Sequence, residues 1–333
     1  MPQHALDVLC LGNAIVDVLA PADDAFLVGH GLAKGSMALI DEARAGALYE
    51  AMGPATIISG GSAANTAVGI ASLGVRAGFV GKIRNDAVGD IFAHDLRATG
   101  VAFETPVAQD GPATARSFIL VTPDGERTMN TYLGACQGLS SADVDPEQVR
   151  ASRVVYLEGY LWDPPAAKEA FRRAVEIAHG AGNLVALTLS DAFCVDRYRD
   201  EFLELMRNGS LDILFANIHE LRSLYGTADE DAALAALREE GVLGVVTRSE
   251  KGALVVSRGE TLAVDAFPVE TVVDTTGAGD LFAAGFLAGL VRDLDHSSCA
   301  RLGGLAAAEV ISHIGARPQV SLRDRAIEAG LLA

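Results

Sequence analysis

The sequence has no segment that is both long and apolar enough to cross a bilayer. Its longest apolar run, residues 281–291, is well short of the roughly 20 residues that a membrane-spanning helix needs. Residues 1–7 carry no basic segment ahead of an apolar core, and Asp7 and Asp17 interrupt the only candidate stretch. We therefore expect no membrane partner, no secretory signal and a cytoplasmic location.

Basic residues are in deficit. The chain has 26 Lys and Arg against 44 Asp and Glu, which gives a formal net charge of −18. Such a charge opposes binding to nucleic acid or to an anionic membrane surface. We expect neither as a partner, and any anionic ligand must be held by local groups.

Cysteine is scarce and shows no metal-binding or redox spacing. The four cysteines form no CxxC pair, and each is embedded among apolar or small residues: Cys10, Cys136, Cys194 and Cys299. Isolated cysteines of this kind are typical of reduced packing residues. This usage favours a reducing compartment.

Two common phosphate-binding motifs are also missing. The pair Gly81-Lys82 is followed by Ile83, so no G-x-x-x-x-G-K-[ST] motif is present. Phe282 stands where the third glycine of a G-x-G-x-x-G motif would follow Gly277 and Gly279. The sequence therefore disfavours a dinucleotide-dependent oxidoreductase.

Apolar strand-like runs alternate with helical patterns along most of the 333 residues, half of which are hydrophobic. This alternation predicts an α/β fold with a doubly wound, mostly parallel sheet and helices on both faces. The run at 56–59 is interpreted as one of the strands that precede a helix. Two β-rich stretches, roughly 14–45 and 105–135, lack helical periodicity and interrupt the pattern, and a turn at 123–125 predicts a hairpin in the second. We expect a single domain, residues 1–333.

Residues 274–280 (Asp-Thr-Thr-Gly-Ala-Gly-Asp) open a small-residue, apolar run that predicts a buried helix. The backbone N–H groups of Gly277, Ala278 and Gly279 are candidates for holding an anion at the helix start. Asp280 suits a general base that takes a proton from an attacking hydroxyl. The alternative is an acid that merely stabilises the first helical turn.

This segment resembles the C-terminal signature of the ribokinase-like, or PfkB, family of carbohydrate and nucleoside kinases. Residues 60–67 (Gly-Gly-Ser-Ala-Ala-Asn-Thr-Ala), followed by Leu73-Gly74, resemble the N-terminal substrate signature of the same family. The two signatures lie in the expected order more than two hundred residues apart. The resemblance implies an ATP-dependent kinase with a small β-sheet lid built from the two β-rich stretches.

The resemblance also implies which residues bind the substrate. The implied substrate contacts are Asn13, Asp17, Gly60, Gly61, Ser62, Asn65 and Asp280. Asp17 is expected to bind sugar hydroxyls, with a polar residue on an exposed strand face as the alternative. Asn65 lies one helical turn after the glycine pair and points the same way, unless it is only a helix-surface residue.

The nucleotide side of the resemblance involves several separate segments: Asn217, Thr247, Ser249, Gly252, Thr276, Gly277 and Gly279. Ser249 stands where the family usually has glycine, which weakens any inference of close backbone approach to ATP. Glu220 is expected to hold Mg²⁺ through water. Arg127 matches a lid arginine near the transferring phosphate, with an exposed hairpin salt bridge as the alternative. Asp274 is a candidate ligand for K⁺, whose requirement the sequence leaves open.

Residues 159–162 (Gly-Tyr-Leu-Trp) match an aromatic segment that packs on the purine in adenosine kinases. Tyr160 and Trp162 therefore favour adenosine as substrate, although Thr276 stands where animal adenosine kinases commonly have asparagine. Core packing is the alternative for both rings. A sugar kinase for ribose or fructose and a catalytically silent nucleotide-binding regulator stay open, as does the choice between monomer and homodimer.

Overall fold

The computed structural model describes residues 6–333. Its strands are, in chain order, β1 Val8–Leu11, β2 Ile15–Pro21, β3 Met37–Leu39, β4 Thr56–Gly60, β5 Ala77–Val80, β6 Ala102–Phe103, β7 Ala115–Val121, β8 Arg127–Tyr132, β9 Val154–Glu158, β10 Leu184–Thr188, β11 Ile213–Asn217, β12 Leu243–Thr247, β13 Ala253–Val256 and β14 Thr261–Val264. We expected no secretory signal from the sequence of residues 1–7. Most of these residues lie outside the described part of the chain.

Twelve α-helices connect these strands or follow them in the described residues. They are α1 Asp24–Gly29, α2 Glu42–Ala51, α3 Ser62–Ser72, α4 Ala87–Ala98, α5 Pro146–Arg150, α6 Pro165–Gly180, α7 Ala192–Arg207, α8 Ile218–Tyr225, α9 Glu230–Glu240, α10 Ala278–Leu290, α11 His296–Val310 and α12 Leu322–Glu328. Short 3₁₀ helices occupy Gly134–Gly138, Ser141–Asp143, Gly159–Trp162 and Ser249–Lys251.

The larger sheet has nine strands in the order β14-β13-β12-β11-β10-β9-β1-β5-β6. Pairing is parallel from β6 to β12, and β13 and β14 continue that edge as antiparallel strands. All four residues of β1 are buried, which accounts for its unbroken apolar run. The predicted mostly parallel sheet is confirmed.

Helices pack on both faces of this sheet, as expected for a doubly wound fold. One hydrophobic core includes residues of α3, α4, α10 and α11, and the other includes residues of α6, α7, α8 and α9. All four cysteines are buried and free of disulfide bonds. They are packing residues, as the sequence indicated.

The small residues of α10 allow it to lie unusually close to α11. A Cβ atom on Gly285 would lie 2.4 Å from the Leu302 carbonyl oxygen, and one on Gly303 would lie 2.7 Å from the Phe282 carbonyl oxygen. Neither glycine tolerates a side chain without moving the two helices apart. Within residues 6–333, no helix combines the length and hydropathy of a membrane span. The apolar run at 281–291 is explained by this packing.

A second sheet has five strands in the order β3-β8-β7-β2-β4. We call it the small sheet. The predicted hairpin is confirmed, because β7 and β8 pair antiparallel across the 123–125 turn. The run at 56–59 is a strand that precedes a helix, as predicted, but it does not belong to the main sheet with the other strands of that alternation: β4 pairs antiparallel with β2. Both neighbouring positions of β1 in the main sheet are taken by β5 and β9.

The β-rich stretch at 14–45 is less uniform than expected. It contains α1 and the start of α2, although no helical periodicity was apparent. Asp23 caps α1 by accepting a hydrogen bond from the Phe26 N–H at 2.7 Å, and Asp41 caps α2 by accepting one from the Arg44 N–H at 2.8 Å. Aspartate at these N-cap positions was the available sequence signal.

Candidate active site

Polar residues collect where the parallel strands of the main sheet end. Asn13 follows β1, Glu158 ends β9, Asn217 ends β11 and Thr247 ends β12. Asn217 and Thr247 are register partners in adjacent strands. The carboxyl edge of an open α/β sheet is where ligands bind, because loops and helix starts converge there.

The start of α10 has the geometry predicted for an anion site at two of the three proposed donors. Gly277 is its N-cap with φ of 79°, and a Cβ there would lie 2.8 Å from Ala316. The N–H groups of Gly277 and Gly279 meet no protein acceptor in the described residues, as is usual at a helix start. The N–H of Ala278 already donates to the Thr275 carbonyl oxygen at 3.2 Å. Ala278 is therefore the exception among the three predicted donors.

Asp280 joins the two signature segments. Its Oδ1 accepts a hydrogen bond from Ser62 Oγ at 2.6 Å, and its Oδ2 accepts one from Asn65 Nδ2 at 3.0 Å. Thr66 Oγ1 donates to the Asp280 carbonyl oxygen at 3.2 Å. Burial raises the pKa of Asp280, and the hydrogen bonds from Ser62 and Asn65 oppose that rise. The first turn of α3 thus holds the carboxylate of Asp280, which lies in the first turn of α10.

Glu158 is a site residue that the sequence reasoning missed. Its carboxylate accepts hydrogen bonds from Asn13 Nδ2 at 2.7 Å and from the Ala63 N–H at 2.9 Å, so it ties β1 to the start of α3. Burial raises the pKa of Glu158 to about 7. An acid at the end of the otherwise apolar strand 154–157 was the signal that could have indicated it.

Asp17 lies on β2 against the predicted glycine pair. A Cβ on Gly60 would lie 2.2 Å from Asp17 Oδ2, and one on Gly61, whose φ is 92°, would lie 2.3 Å from the Asn13 carbonyl oxygen. Burial raises the pKa of Asp17 to about 7, against the opposing charges of Arg317 and Arg127. Within the described residues the Asp17 carboxylate accepts no hydrogen bond. A half-buried carboxylate without a protein donor is suited to a ligand hydroxyl.

Arg127 forms a buried ion pair with Asp274. Their side chains are 11% and 4% exposed, so the alternative of an exposed hairpin salt bridge was wrong. Asp274 also accepts hydrogen bonds from Thr276 Oγ1 at 2.8 Å and from the Gly315 N–H at 2.8 Å. The Arg127 guanidinium already neutralises this carboxylate, and its other contacts are hydrogen-bond donors. Asp274 is therefore unsuited to the role of K⁺ ligand for which the sequence made it a candidate.

Arg317 is the second site residue that was missed. It lies in the loop after α11, where its Nε donates to Asn65 Oδ1 at 3.2 Å and its Nη1 donates to Ser59 Oγ. Burial lowers the pKa of Arg317 to about 10, against the opposing charges of Asp17 and Asp95. No local sequence pattern distinguishes this arginine, because its partners lie about 250 residues away.

On the expected nucleotide side, Asn217 and Glu220 form a capping box at the start of α8. Asn217 Nδ2 and N–H donate to the two oxygens of Glu220 at 2.5 and 2.9 Å. Glu220 is 5% exposed, and burial raises its pKa to about 7. Residues 6–333 contain no cluster of three or more acids, histidines or cysteines for a metal ion. One carboxylate with spare lone pairs fits a hydrated Mg²⁺, which keeps most of its waters.

Ser249, which stands where the family usually has glycine, has a left-handed backbone conformation. Its φ is 53°, in the left-handed region that side chains disfavour. Gly252, in the same turn, has φ of 76°, and a Cβ there would lie 2.0 Å from the Val264 carbonyl oxygen. The turn after β12 therefore keeps a glycine-like path despite the serine.

The two aromatic candidates point to different places. Trp162 is 1% exposed, lies 5.9 Å from both Phe171 and Phe202 between ring centroids, and donates from Nε1 to Glu201 at 2.9 Å. This core position contradicts purine stacking by Trp162. Tyr160 is 36% exposed. Burial of its hydroxyl raises the pKa of Tyr160, as do the charges of Asp191 and Asp280.

Comparison with known proteins identifies the family to which this fold belongs. Residues 44–322 match the pfkB family of carbohydrate kinases. The structure superposes on adenosine kinase from Sinorhizobium meliloti with a TM-score of 0.92 and 55% identity, covering 97% of this chain and 99% of that one. A probable sugar kinase from Rhizobium etli CFN 42 gives a TM-score of 0.93 at 51% identity, covering 98% and 99%. Fructokinase-1 of Oryza sativa subsp. japonica is 32% identical over 240 residues, 70% of this chain and 74% of its own.

The chain belongs to the PfkB family. It is an ATP-dependent kinase of the kind that acts on sugars or nucleosides.

Proposed function

We propose that the protein transfers the γ-phosphoryl group of ATP to the primary 5′-hydroxyl of adenosine, which yields AMP and ADP. The observation that carries the proposal is the Asp280 carboxylate. Ser62 and Asn65 hold it beside the free N–H groups at the start of α10. The 55% identity to an adenosine kinase over nearly the whole chain supports the choice of acceptor.

Asp280 acts as the general base. It takes the proton of the primary hydroxyl, whose oxygen then bonds to the γ-phosphorus while the bond from that phosphorus to the leaving ADP oxygen breaks. A raised pKa suits this role, since a base works best when its pKa lies near the operating pH. The N–H groups of Gly277 and Gly279 hold the charge of the transferring phosphoryl. Ala278 takes no part through its own N–H, which is engaged within the turn.

The ribose binds between the small sheet and α3. Asp17, which lacks a protein donor in the described residues, accepts hydrogen bonds from ribose hydroxyls. Asn13 and the Gly60-Gly61 turn line the same space. The side chain of Asn13 is held by the hydrogen bond that it donates to Glu158. Tyr160, with its partly exposed ring, packs against the purine.

ATP binds along the ends of β11 and β12, with Thr247 and the 249–252 turn beside it. Glu220 would hold Mg²⁺ through water, since Asn217 occupies only part of its acceptor capacity. An ion bound there would offset the negative charge of the phosphates. The charge of Asp280 contributes to the raised pKa of Glu220.

A sugar kinase is the second candidate, and one observation favours it. With Trp162 in the core, a single aromatic side chain of the 159–162 segment, Tyr160, is left for the purine. A coupled assay of ATP consumption with adenosine, ribose and fructose separates the candidates. We expect kcat/KM for adenosine to exceed that for fructose by about tenfold or more, the effect of one base-stacking ring. A preference for fructose would support the sugar kinase, and ATP binding without turnover of any acceptor would support a silent regulator.

A further inference from the structure

Arg317 links the loop after α11 to the proposed catalytic base. Its Nε donates to Asn65 Oδ1 at 3.2 Å, while Nδ2 of the same Asn65 donates to Asp280 Oδ2 at 3.0 Å. An amide has one acceptor end and one donor end, so the guanidinium fixes which end faces Asp280. The Asp280 carboxylate, which can only accept, also favours the donor end, and Arg317 is the contact that anchors the opposite, oxygen end of the amide.

The guanidinium itself is held from several sides. Nη1 donates to Ser59 Oγ, and Asp95 in turn accepts hydrogen bonds from the Ser59 N–H at 3.1 Å and Oγ at 3.2 Å. Asp17 and Asp95 both favour the charged form of Arg317. Its Nη2 is buried and has no hydrogen-bond partner in the described residues.

The loop that carries Arg317 is anchored on both sides. The Gly315 N–H donates to Asp274 Oδ2 at 2.8 Å, and the Gln319 N–H donates to Glu309 Oε1 at 3.0 Å. Ala316 packs closely against Gly277: a Cβ atom added to Gly277 would lie 2.8 Å from Ala316. The same loop therefore contacts the anion site and the residue that orients the base.

We propose that Arg317 is a positioning residue for the phosphoryl transfer. It holds the Asn65 amide so that Asn65 donates to Asp280, and this bond keeps the carboxylate aimed at the acceptor hydroxyl. The inference rests on the proposed role of Asp280. It concerns the orientation of the base and assigns no contact between Arg317 and ATP.

A double-mutant cycle of Arg317→Met and Asn65→Ala tests the coupling. We expect Arg317→Met alone to lower kcat by about 10- to 100-fold, the effect of losing one hydrogen bond to a charged group. The KM for ATP should stay within about twofold of wild type, because no nucleotide contact is removed. In the Asn65→Ala background the same substitution should lower kcat by less than about threefold, since the residue it acts through is gone.

Arg317→Lys and Arg323→Met complete the design. Lysine keeps the charge but lacks the planar fork that reaches both Asn65 and Ser59, so Arg317→Lys should not restore kcat. If Arg317→Met does not fold, Arg317→Lys takes its place in the cycle. Arg323→Met removes an exposed arginine of α12 and should leave kcat unchanged. The proposal is overturned if lysine restores kcat, or if the full loss recurs in the Asn65→Ala background.

Carboxyl ¹³C NMR of aspartate-labelled protein gives a second readout that needs no turnover. Loss of the Asn65 bond should raise the pKa of Asp280 in Arg317→Met, because a donor to the charged form is lost. The titratable groups whose pKa values the charge of Asp280 raises are the same in both proteins: Asp17, Tyr156, Glu158, Tyr160 and Glu220. If wild type phosphorylates no acceptor, the proposed function fails. An unchanged pKa of Asp280 would refute the role of Arg317 on its own.

Discussion

Replacement of Asp280 by asparagine removes the proposed base while keeping its shape and its contacts. The new amide can accept from Asn65 Nδ2 through its oxygen and donate to Ser62 Oγ through its nitrogen, because a hydroxyl serves as donor or acceptor. Burial disfavours the charged form of Asp280 in the folded state. The variant should therefore fold and be at least as stable as wild type at pH 7.5.

General-base assistance is typically worth about 10²- to 10⁴-fold, or about 2.7–5.4 kcal/mol of activation free energy. We expect kcat of Asp280→Asn to fall by at least this range. The KM for ATP should not rise, because the anion site loses a like charge beside it. Steady-state assay of ADP release, with thermal unfolding followed by circular dichroism, measures both effects.

The matched control is Asp90→Asn, which changes an exposed acid in the first turn of α4. It should leave kcat and the melting temperature near those of wild type, since a first-turn acid contributes only a few tenths to about 1 kcal/mol through the helix dipole. If Asp280→Asn keeps near-normal kcat, or fails to fold, Asp280 is a structural first-turn acid and the mechanism is refuted.

Three further predictions follow from the same site. Tyr160→Ala should raise the KM for adenosine by about 5- to 150-fold, the equivalent of 1–3 kcal/mol for one base-stacking ring, and an unchanged KM would argue against purine packing. Asp17 and Glu158 have pKa values of about 7, raised above their unfolded values near 4. Between these values the folded state binds more protons, so the free energy of unfolding of the ligand-free protein should fall as pH rises from 5 to 7. Thermal unfolding should show this fall, and Asp17→Asn should reduce it; a rise in stability over that range would contradict it. Ser249→Gly should leave the KM for ATP within about twofold, because the serine already has a glycine-like φ; a larger change would show that its side chain contacts the nucleotide.

The features that the sequence predicted well have local causes. Gly60, Gly61 and Gly277 mark positions where the backbone requires a glycine, either through positive φ or through close contact. The alternation of apolar strands and helices predicted the main sheet, because buried parallel strands are apolar throughout.

The features that it missed depend on long-range pairing. Glu158 and Arg317 act on partners 145 and 252 residues away, so no local spacing identifies them. The assignment of β4 failed for the same reason, since its run 56–60 suits either sheet and only its pairing with β2 decides.

Tyr160 and Trp162 show a different limit. They lie two residues apart in the 3₁₀ helix Gly159–Trp162, where side chains two positions apart point in different directions. One ring therefore reaches the surface near the site while the other enters the core. The sequence motif made both rings candidates for purine contact, but it contained no information on which ring would be exposed and which would be buried.

We propose above that this protein phosphorylates the primary hydroxyl of adenosine. The most direct test is to incubate it with ATP and Mg²⁺ and identify the phosphorylated product by ³¹P NMR, using adenosine and 5′-deoxyadenosine in parallel. We predict 5′-AMP from adenosine and no product from 5′-deoxyadenosine, which lacks the hydroxyl that Asp280 deprotonates. Absence of AMP from adenosine under conditions in which fructose or ribose is phosphorylated would contradict the account.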